Sequence, residues 1–137
     1  MRKGPFWLGG EFMTTDVNSP TFGDPTFSGY HISGSWALTG EMRPYRRRGG
    51  IMGNTPISRS VYQDGWGSLE LAVRWSELDL TDSLIDGGEL KILSLGVNWS
   101  LTSALALGLN YRHISTDRAG VAWDSDGFNT RLILLLE

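Results

Sequence analysis

Cysteine is absent from the chain, and this excludes both a disulfide framework and a thiolate metal site. Also missing is any run of about 18 apolar residues, the length that a membrane-spanning helix needs, so a helical membrane protein is excluded. The two histidines, His31 and His113, fall in no metal-ligand spacing, and no GxSxG elbow accompanies the serines. We therefore expect no metal, no cofactor, no catalytic residue and no enzyme activity.

Basic charge is scarce as well. The 12 Lys and Arg residues are outnumbered by 15 Asp and Glu residues, and the net charge of -3 is spread along the chain. Because no segment offers a basic face, a nucleic-acid partner is not expected. The first ten residues lack the apolar stretch of about 7–15 residues that a secretory signal peptide requires, so we expect any targeting segment to lie upstream.

What the sequence does contain is apolar alternation, the pattern of a half-buried β-strand. In residues 69–76, every second side chain is apolar or aromatic, while Glu70 and Arg74 lie on the opposite face. Similar alternation recurs in six segments, at residues 6–13, 30–39, 69–76, 92–99, 105–112 and 128–136. The sequence therefore predicts an all-β fold, an antiparallel meander of about six strands in a single domain over residues 1–137.

The links between these segments predict how the strands connect. Residues 101–104 leave room only for a tight turn, so the strands beside them form a hairpin. Three other links are polar and rich in Gly, Asp, Pro and Ser, which is typical of surface loops: residues 14–27, 80–89 and 115–127. We expect these three loops to lie together at one end of the sheet. The link over residues 40–65 is expected at the opposite end as a long segment.

A sheet with one apolar face fits two environments. In a soluble sandwich or barrel this face points inward and can bind a small apolar ligand, whereas in an outer-membrane barrel it points toward lipid. Aromatic residues lie near the ends of the apolar stripes, for example Phe6, Tyr30, Trp75 and Trp99, and the opposite faces are small and polar. These two features favour the outer-membrane barrel. The pattern by itself leaves both interpretations open.

Four stretches of sequence carry a more specific signal: GYHISGSWALTGEMRPY (29–45), GWGSLELAVRWSELDLTD (65–82), GGELKILSLGVNWSLTSALALGLNYRHI (87–114) and the closing DGFNTRLILLLE (126–137). In this order they resemble the last third of the phosphate-selective (O and P type) porin family. The resemblance depends mainly on a strand that ends in Leu-Thr-Gly-Glu-x-Arg-x-Tyr (38–45). A Gly-Trp-Gly (65–67) before a strand that ends in Leu-Asp-Leu-Thr-Asp (78–82) adds to it.

The resemblance implies a trimeric, 16-stranded outer-membrane barrel, surrounded by membrane lipid, that passes small anions such as phosphate or pyrophosphate by diffusion. This chain would be the carboxyl-terminal segment of the barrel and an incomplete domain, since the smallest closed transmembrane barrels have about eight strands. Such a barrel ends at the periplasm, which places the 101–104 turn there and the polar loops outside. The family usually ends on an aromatic residue, whereas this chain ends in Leu136-Glu137. The family's constriction residues lie largely upstream of the matching region.

Three arginines on the polar strand faces, Arg74, Arg112 and Arg131, are the candidates for attracting small anions in a lumen. Glu11 and Glu70 share this face and would weaken the attraction. The alternative is that these charges pair with one another in a solvated wall. The run of arginines at 46–48 is an anion-attracting vestibule, a docking patch or a solvated loop. A purely structural outer-membrane domain is a third hypothesis, beside the channel and the soluble binding module.

Overall fold

The computed structural model describes residues 1–46, 48–49, 51–53 and 55–135. Its strands are β1 (Arg2–Lys3), β2 (Phe6–Asp16), β3 (Thr26–Ala37), β4 (Tyr45–Arg46), β5 (Ile51–Met52), β6 (Ser68–Asp82), β7 (Ile85–Ser100), β8 (Leu105–Arg118) and β9 (Val121–Leu134). Two single 3-10 turns, Pro20–Phe22 and Val61–Gln63, lie in the links. Within the described residues no helix is long and apolar enough to cross a membrane.

Seven of these strands form one antiparallel sheet in the order β1-β2-β3-β6-β7-β8-β9, while β4 and β5 pair separately. The six long strands are those that the alternation predicts, so the all-β meander is confirmed. In the described part of the chain the sheet is open, because β2 and β9 lie near opposite edges and do not pair with each other. This arrangement fits a segment of a barrel wall.

The strands are longer than the apolar alternation indicates, and all three predicted polar loops are shorter than expected, the 14–27 loop being reduced to residues 17–25. The strands β6 and β7 continue to a turn at residues 83–84, and β8 and β9 continue to a turn at residues 119–120. At the second turn Ala119 and Gly120 both have positive φ, as a two-residue type I′ hairpin turn requires. The sequence pattern misses these extensions because polar residues dominate them and because their few apolar residues, such as Leu78 and Leu80, do not continue the stripe of their strand.

Residues 38–67, which we call the connector, join β3 to β6 at the same end of the sheet as the 101–104 turn. This is the predicted end for the long link. The beginning of the connector is fixed where the Leu38 N–H donates to the Leu69 carbonyl at 2.8 Å. Its last part is fixed where the Trp99 indole N–H donates to the Trp66 carbonyl at 2.7 Å. At the other end of the sheet, residues 17–25 form the one longer loop among the described residues.

Almost nothing in the described residues is buried in the manner of a soluble core. Of the apolar side chains that the structure describes, Ala37, at 3% exposure, and Pro25 are buried, while Leu107, Phe128 and Leu132 remain 42%, 75% and 59% exposed. A soluble sandwich would place a second layer over such side chains. The apolar face is therefore a surface that its environment must cover.

Gly67, at the end of the connector, provides a test of this fold. Its φ is +71°, and a Cβ at this position would lie 2.2 Å from the carbonyl oxygen of Ser100. Gly67→Ala should therefore lower the free energy of unfolding by more than the ~1–2 kcal/mol that left-handed backbone alone costs an alanine. Gly40→Ala is the matched control, since Gly40 has φ +91° and no atom within 4 Å of that Cβ. Urea unfolding of the lipid-reconstituted barrel, followed by tryptophan fluorescence, compares the two variants, and equal losses would contradict this packing.

Candidate functional site

The strand register separates the side chains into an apolar face and a polar face. Leu71 pairs with Val97, and Val97 pairs with Leu109, so these apolar side chains form a row across three strands. One residue along, Ala72, Gly96 and Asn110 form the next row, on the opposite face. Because a slip of one residue would exchange the two faces, the register fixes which side chains can meet lipid and which can meet water.

The apolar face carries one stripe of equal length on each long strand. Each stripe consists of four alternate positions. Its first and last positions are six residue steps, about 20 Å, apart along the strand. The stripes run over residues 6–12, 30–36, 69–75, 93–99, 105–111 and 128–134. Beyond the far end of every stripe the next residue on this face is polar: Thr14, Ser28, Glu77, Lys91, His113 and Asp126. A constant length is what a layer of fixed thickness imposes, and about 25 Å is the height of the apolar band on outer-membrane barrels.

The stripes are staggered across the sheet. Phe12 and Tyr30 end their stripes in one row, but Tyr30 pairs with Glu77, so the β6 stripe ends two residues earlier, at Trp75. Leu93 then pairs with His113, so the β8 stripe ends two residues earlier again, at Tyr111. The shift is four residues over five strand-to-strand steps, which corresponds to a tilt of roughly 30° between the strands and the normal to the band. Strands of transmembrane barrels tilt by about 35–45°.

Aromatic side chains occupy the ends of the stripes and not their interiors. Eight of the twelve end positions are aromatic and none of the twelve interior positions is. The aromatic end positions are Phe6, Phe12, Tyr30, Trp36, Trp75, Trp99, Tyr111 and Phe128. Phe6 stacks on Trp36 with ring centroids 5.4 Å apart, and the rings of Tyr111 and Phe128 lie 4.9 Å apart. Two aromatic rows that flank an aliphatic band form the girdles of a membrane barrel, because amphipathic rings favour the lipid headgroup level.

The polar face carries all three predicted site residues, but the register brings only two of them together. Arg74 pairs with Ser94, and Ser94 pairs with Arg112, so the two arginines share a row about 10 Å apart. Arg131 pairs with Gly108, which lies four residues from Arg112 on the same strand. Arg131 is therefore about 14 Å farther toward the connector end.

None of these three arginines forms an ion pair within the described residues. Arg74 donates from Nε to the Ser76 hydroxyl at 2.9 Å, and all three side chains are exposed. Glu70, which was expected to share the face with them, does so but pairs with Arg43 at 2.8 Å. Within the described residues, therefore, no carboxylate lies in contact with Arg74, Arg112 or Arg131.

The connector adds residues that sequence reasoning missed. Arg43 and Thr55 both contact Glu70, and the connector and the wall enclose a cleft of about 470 Å³ that Arg43, Asn98 and Arg131 help to line. No periodic signal marks Arg43 or Thr55, since both lie in a link without apolar alternation. The only hint was the length of the link, which is more than a turn between neighbouring strands needs.

Glu41, at the start of the connector, is buried with 7% exposure. Burial acts to raise the pKa of its carboxyl, but hydrogen bonds from Thr39, from Ser58 and from backbone N–H groups outweigh it, and the pKa is lowered. The carboxylate therefore remains charged at neutral pH and ties the two sides of the connector together. Of the arginine run 46–48, Arg48 is exposed, whereas Arg47 and the side chain of Arg46 lie outside the described residues.

A tilted antiparallel sheet with an aliphatic band, two aromatic rows and a polar reverse face defines the wall of a β-barrel membrane protein. Comparison with known proteins identifies the family within this class. The chain belongs to the family described as phosphate-selective porin O and P, whose model matches residues 1–135. This is a family of channels and not of enzymes.

Two curated proteins are similar to this chain, and one of them is named as a porin. The chain is 26% identical over 144 residues to Porin O of Pseudomonas aeruginosa, an alignment that covers 94% of this chain and 32% of that protein. It is 36% identical over 87 residues to an uncharacterised protein of Caulobacter vibrioides, with 64% of this chain and 17% of the relative covered. The chain thus spans a third or less of the length of these curated relatives.

An introduced charge should cost much more folding free energy on the apolar face than on the polar face. Leu107→Arg places a guanidinium in the interior of the β8 stripe and should cost about 2–4 kcal/mol of folding free energy, because the charge would enter hydrocarbon. Asn110→Arg, on the polar face of the same strand, is the matched control and should cost little. Unfolding of the lipid-reconstituted barrel in urea measures both, and a costly Asn110→Arg beside a harmless Leu107→Arg would reverse the assignment of the faces.

Proposed function

We propose that this chain is the carboxyl-terminal part of the wall of a bacterial outer-membrane porin through which small anions diffuse passively. The observation that carries this proposal is the set of three arginines on the polar face, none of which forms an ion pair with another described residue. Arg74 and Arg112 in one row, and Arg131 nearer the connector, place positive charge along the face that an aqueous lumen would occupy. Attraction by fixed charges raises the local concentration of ions of opposite sign without any covalent step.

The surroundings of these arginines favour passage rather than tight binding. Around Arg74 and Arg112 the rows contain Ser33, Ser94, Gly96 and Asn110, which are small or neutral and leave room for hydrated ions. Conduction requires that an ion be attracted strongly enough to enter and weakly enough to leave. Two arginines about 10 Å apart attract an anion without enclosing it.

Two more specific proposals follow. The first is that phosphate or pyrophosphate is the preferred anion, and the second is that the assembly is a homotrimer. The description of the family, as phosphate-selective, supports the first of them. The second follows only from the resemblance in the sequence. The soluble binding module finds no support in the described residues, where the apolar face is a single uncovered layer and not the inside of a sandwich.

Removing the three arginines tests the proposed selectivity. In the closed barrel that contains these strands, the combined change of Arg74, Arg112 and Arg131 to alanine should shift the permeability ratio toward cations, because the polar face loses three positive charges. Planar-bilayer reversal potentials under a salt gradient measure that shift. An unchanged anion-to-cation ratio would mean that these arginines play no part in selectivity.

The orientation is tested with trypsin and intact cells. We expect the connector at the periplasmic end, so trypsin added outside should not cut after Arg48 or Arg59, which are exposed on it. Permeabilising the outer membrane should allow both cuts. Proteinase K, added outside without permeabilisation, should cut first in the 17–25 loop, because the two-residue turns at 83–84 and 119–120 offer little extended chain. Tryptic cleavage of the connector in intact cells would show that the connector faces outside, and it would contradict this orientation.

A further inference from the structure

We propose that Glu70 is a positioning residue that holds the connector against the polar face of the sheet, and that by pairing with Arg43 it limits the positive charge of the lumen at the connector end. The second half of this statement rests on the proposed function, whereas the first half does not.

Glu70 is where the middle of the connector meets the wall. Its Oε1 accepts from the Nη2 of Arg43 at 2.8 Å, and its Oε2 accepts from the Thr55 hydroxyl at 2.9 Å. Arg43 also donates from Nε to that hydroxyl at 3.3 Å, which closes a three-residue cluster. Arg43 and Thr55 are 12 residues apart in the chain, so one carboxylate fixes two separate parts of the connector.

The burial of Glu70 makes this contact obligatory. The residue is 3% exposed, and the side chain of its partner Arg43 is 30% exposed. A carboxylate so far from water needs a compensating charge and hydrogen bonds, and loss of either partner leaves the other unsatisfied. The start of the connector is held by its backbone contact to Leu69 of β6, and its last part by the indole N–H of Trp99 and by Leu101, which accepts from the Val61 N–H at 3.1 Å. Release of Glu70 would therefore loosen the middle and leave the ends attached.

The same contact sets the charge of the cleft between connector and wall. Arg43 and Arg131 both line this cleft, and Glu70 supplies the negative charge beside them. Without Glu70 the cleft would carry two arginines and no carboxylate. An anion arriving there would then meet a stronger attraction than the wild-type wall provides, since the charge that cancels Arg43 is gone.

The experiment combines two readouts on the closed barrel that contains these strands. The rate of tryptic cleavage after Arg59 in detergent micelles reports how firmly the connector is held, and the reversal potential in planar bilayers reports selectivity. The variants are Glu70→Gln, Arg43→Met and the two combined. Glu77→Gln is the matched control, because Glu77 lies on the apolar side of β6, where it accepts from the Tyr30 hydroxyl at 2.9 Å.

Both single variants should speed the cleavage by at least about tenfold, since Arg43→Met leaves the buried Glu70 without its charge partner and Glu70→Gln leaves the partly exposed Arg43 without one. Their selectivities should move in opposite directions: Glu70→Gln toward anions, and Arg43→Met toward cations. The combined variant, which keeps the net charge and removes both charged partners, should show fast cleavage with nearly wild-type selectivity. The Glu77→Gln control should match the wild type in both readouts.

Wild-type cleavage rates in Glu70→Gln and in the combined variant would overturn the positioning role. Faster cleavage with the same selectivity shift in both single variants would overturn the electrostatic role. If the wild-type barrel conducts no ions, the proposed function fails, but the cleavage rates still decide whether Glu70 holds the connector.

Discussion

Two-residue periodicity, locked by the strand register, is the constraint on which the rest of this structure depends. Leu71 lies beside Val97 only because Ala72 lies beside Gly96 on the reverse face, and a slip of one residue would turn aliphatic side chains toward water on every strand. The equal length and even stagger of the six apolar stripes extend this constraint from pairs of strands to the whole sheet. A layer of fixed thickness that crosses the strands at an angle accounts for the length and the stagger together.

The sequence was sufficient for the strands and their order, because period-2 alternation is a local signal and successive strands of a meander pair with each other. It was insufficient wherever the alternation of apolar and polar residues disappears. The hairpin extensions beyond Glu77 and His113 have polar residues on both faces, so they resemble loops in a pattern that registers only hydrophobicity. Their backbone is nevertheless paired as strand, continuously between β8 and β9 and with one register shift between Asp79 and Thr81 in β6 and β7.

The candidate site, like the fold, could be predicted from the sequence only in part. That Arg74, Arg112 and Arg131 share one face follows from counting alternate residues, and the register confirms it. That Arg74 and Arg112 lie in one row while Arg131 lies apart depends on pairing offsets between strands, which no single strand encodes. Likewise, Glu70 was correctly expected on the polar face, but its partners Arg43 and Thr55 come from a link whose path is set by tertiary contacts.

The two hairpins that continue past the apolar band carry an electrostatic consequence for ion entry. On residues 77–91 and 113–126, eight Asp and Glu residues stand against one Lys and one Arg. Their two-residue turns hold these charges on paired backbone, so the rim of the proposed pore presents a standing negative potential at the outer mouth. In the proposed channel, an anion entering there would cross a repulsive field before it reached the arginines, whereas a cation would be drawn to the mouth and repelled farther in. Since the Debye length shrinks from ~30 Å at 0.01 M salt to ~8 Å at 0.15 M, this negative potential would extend farther from the rim in dilute surroundings.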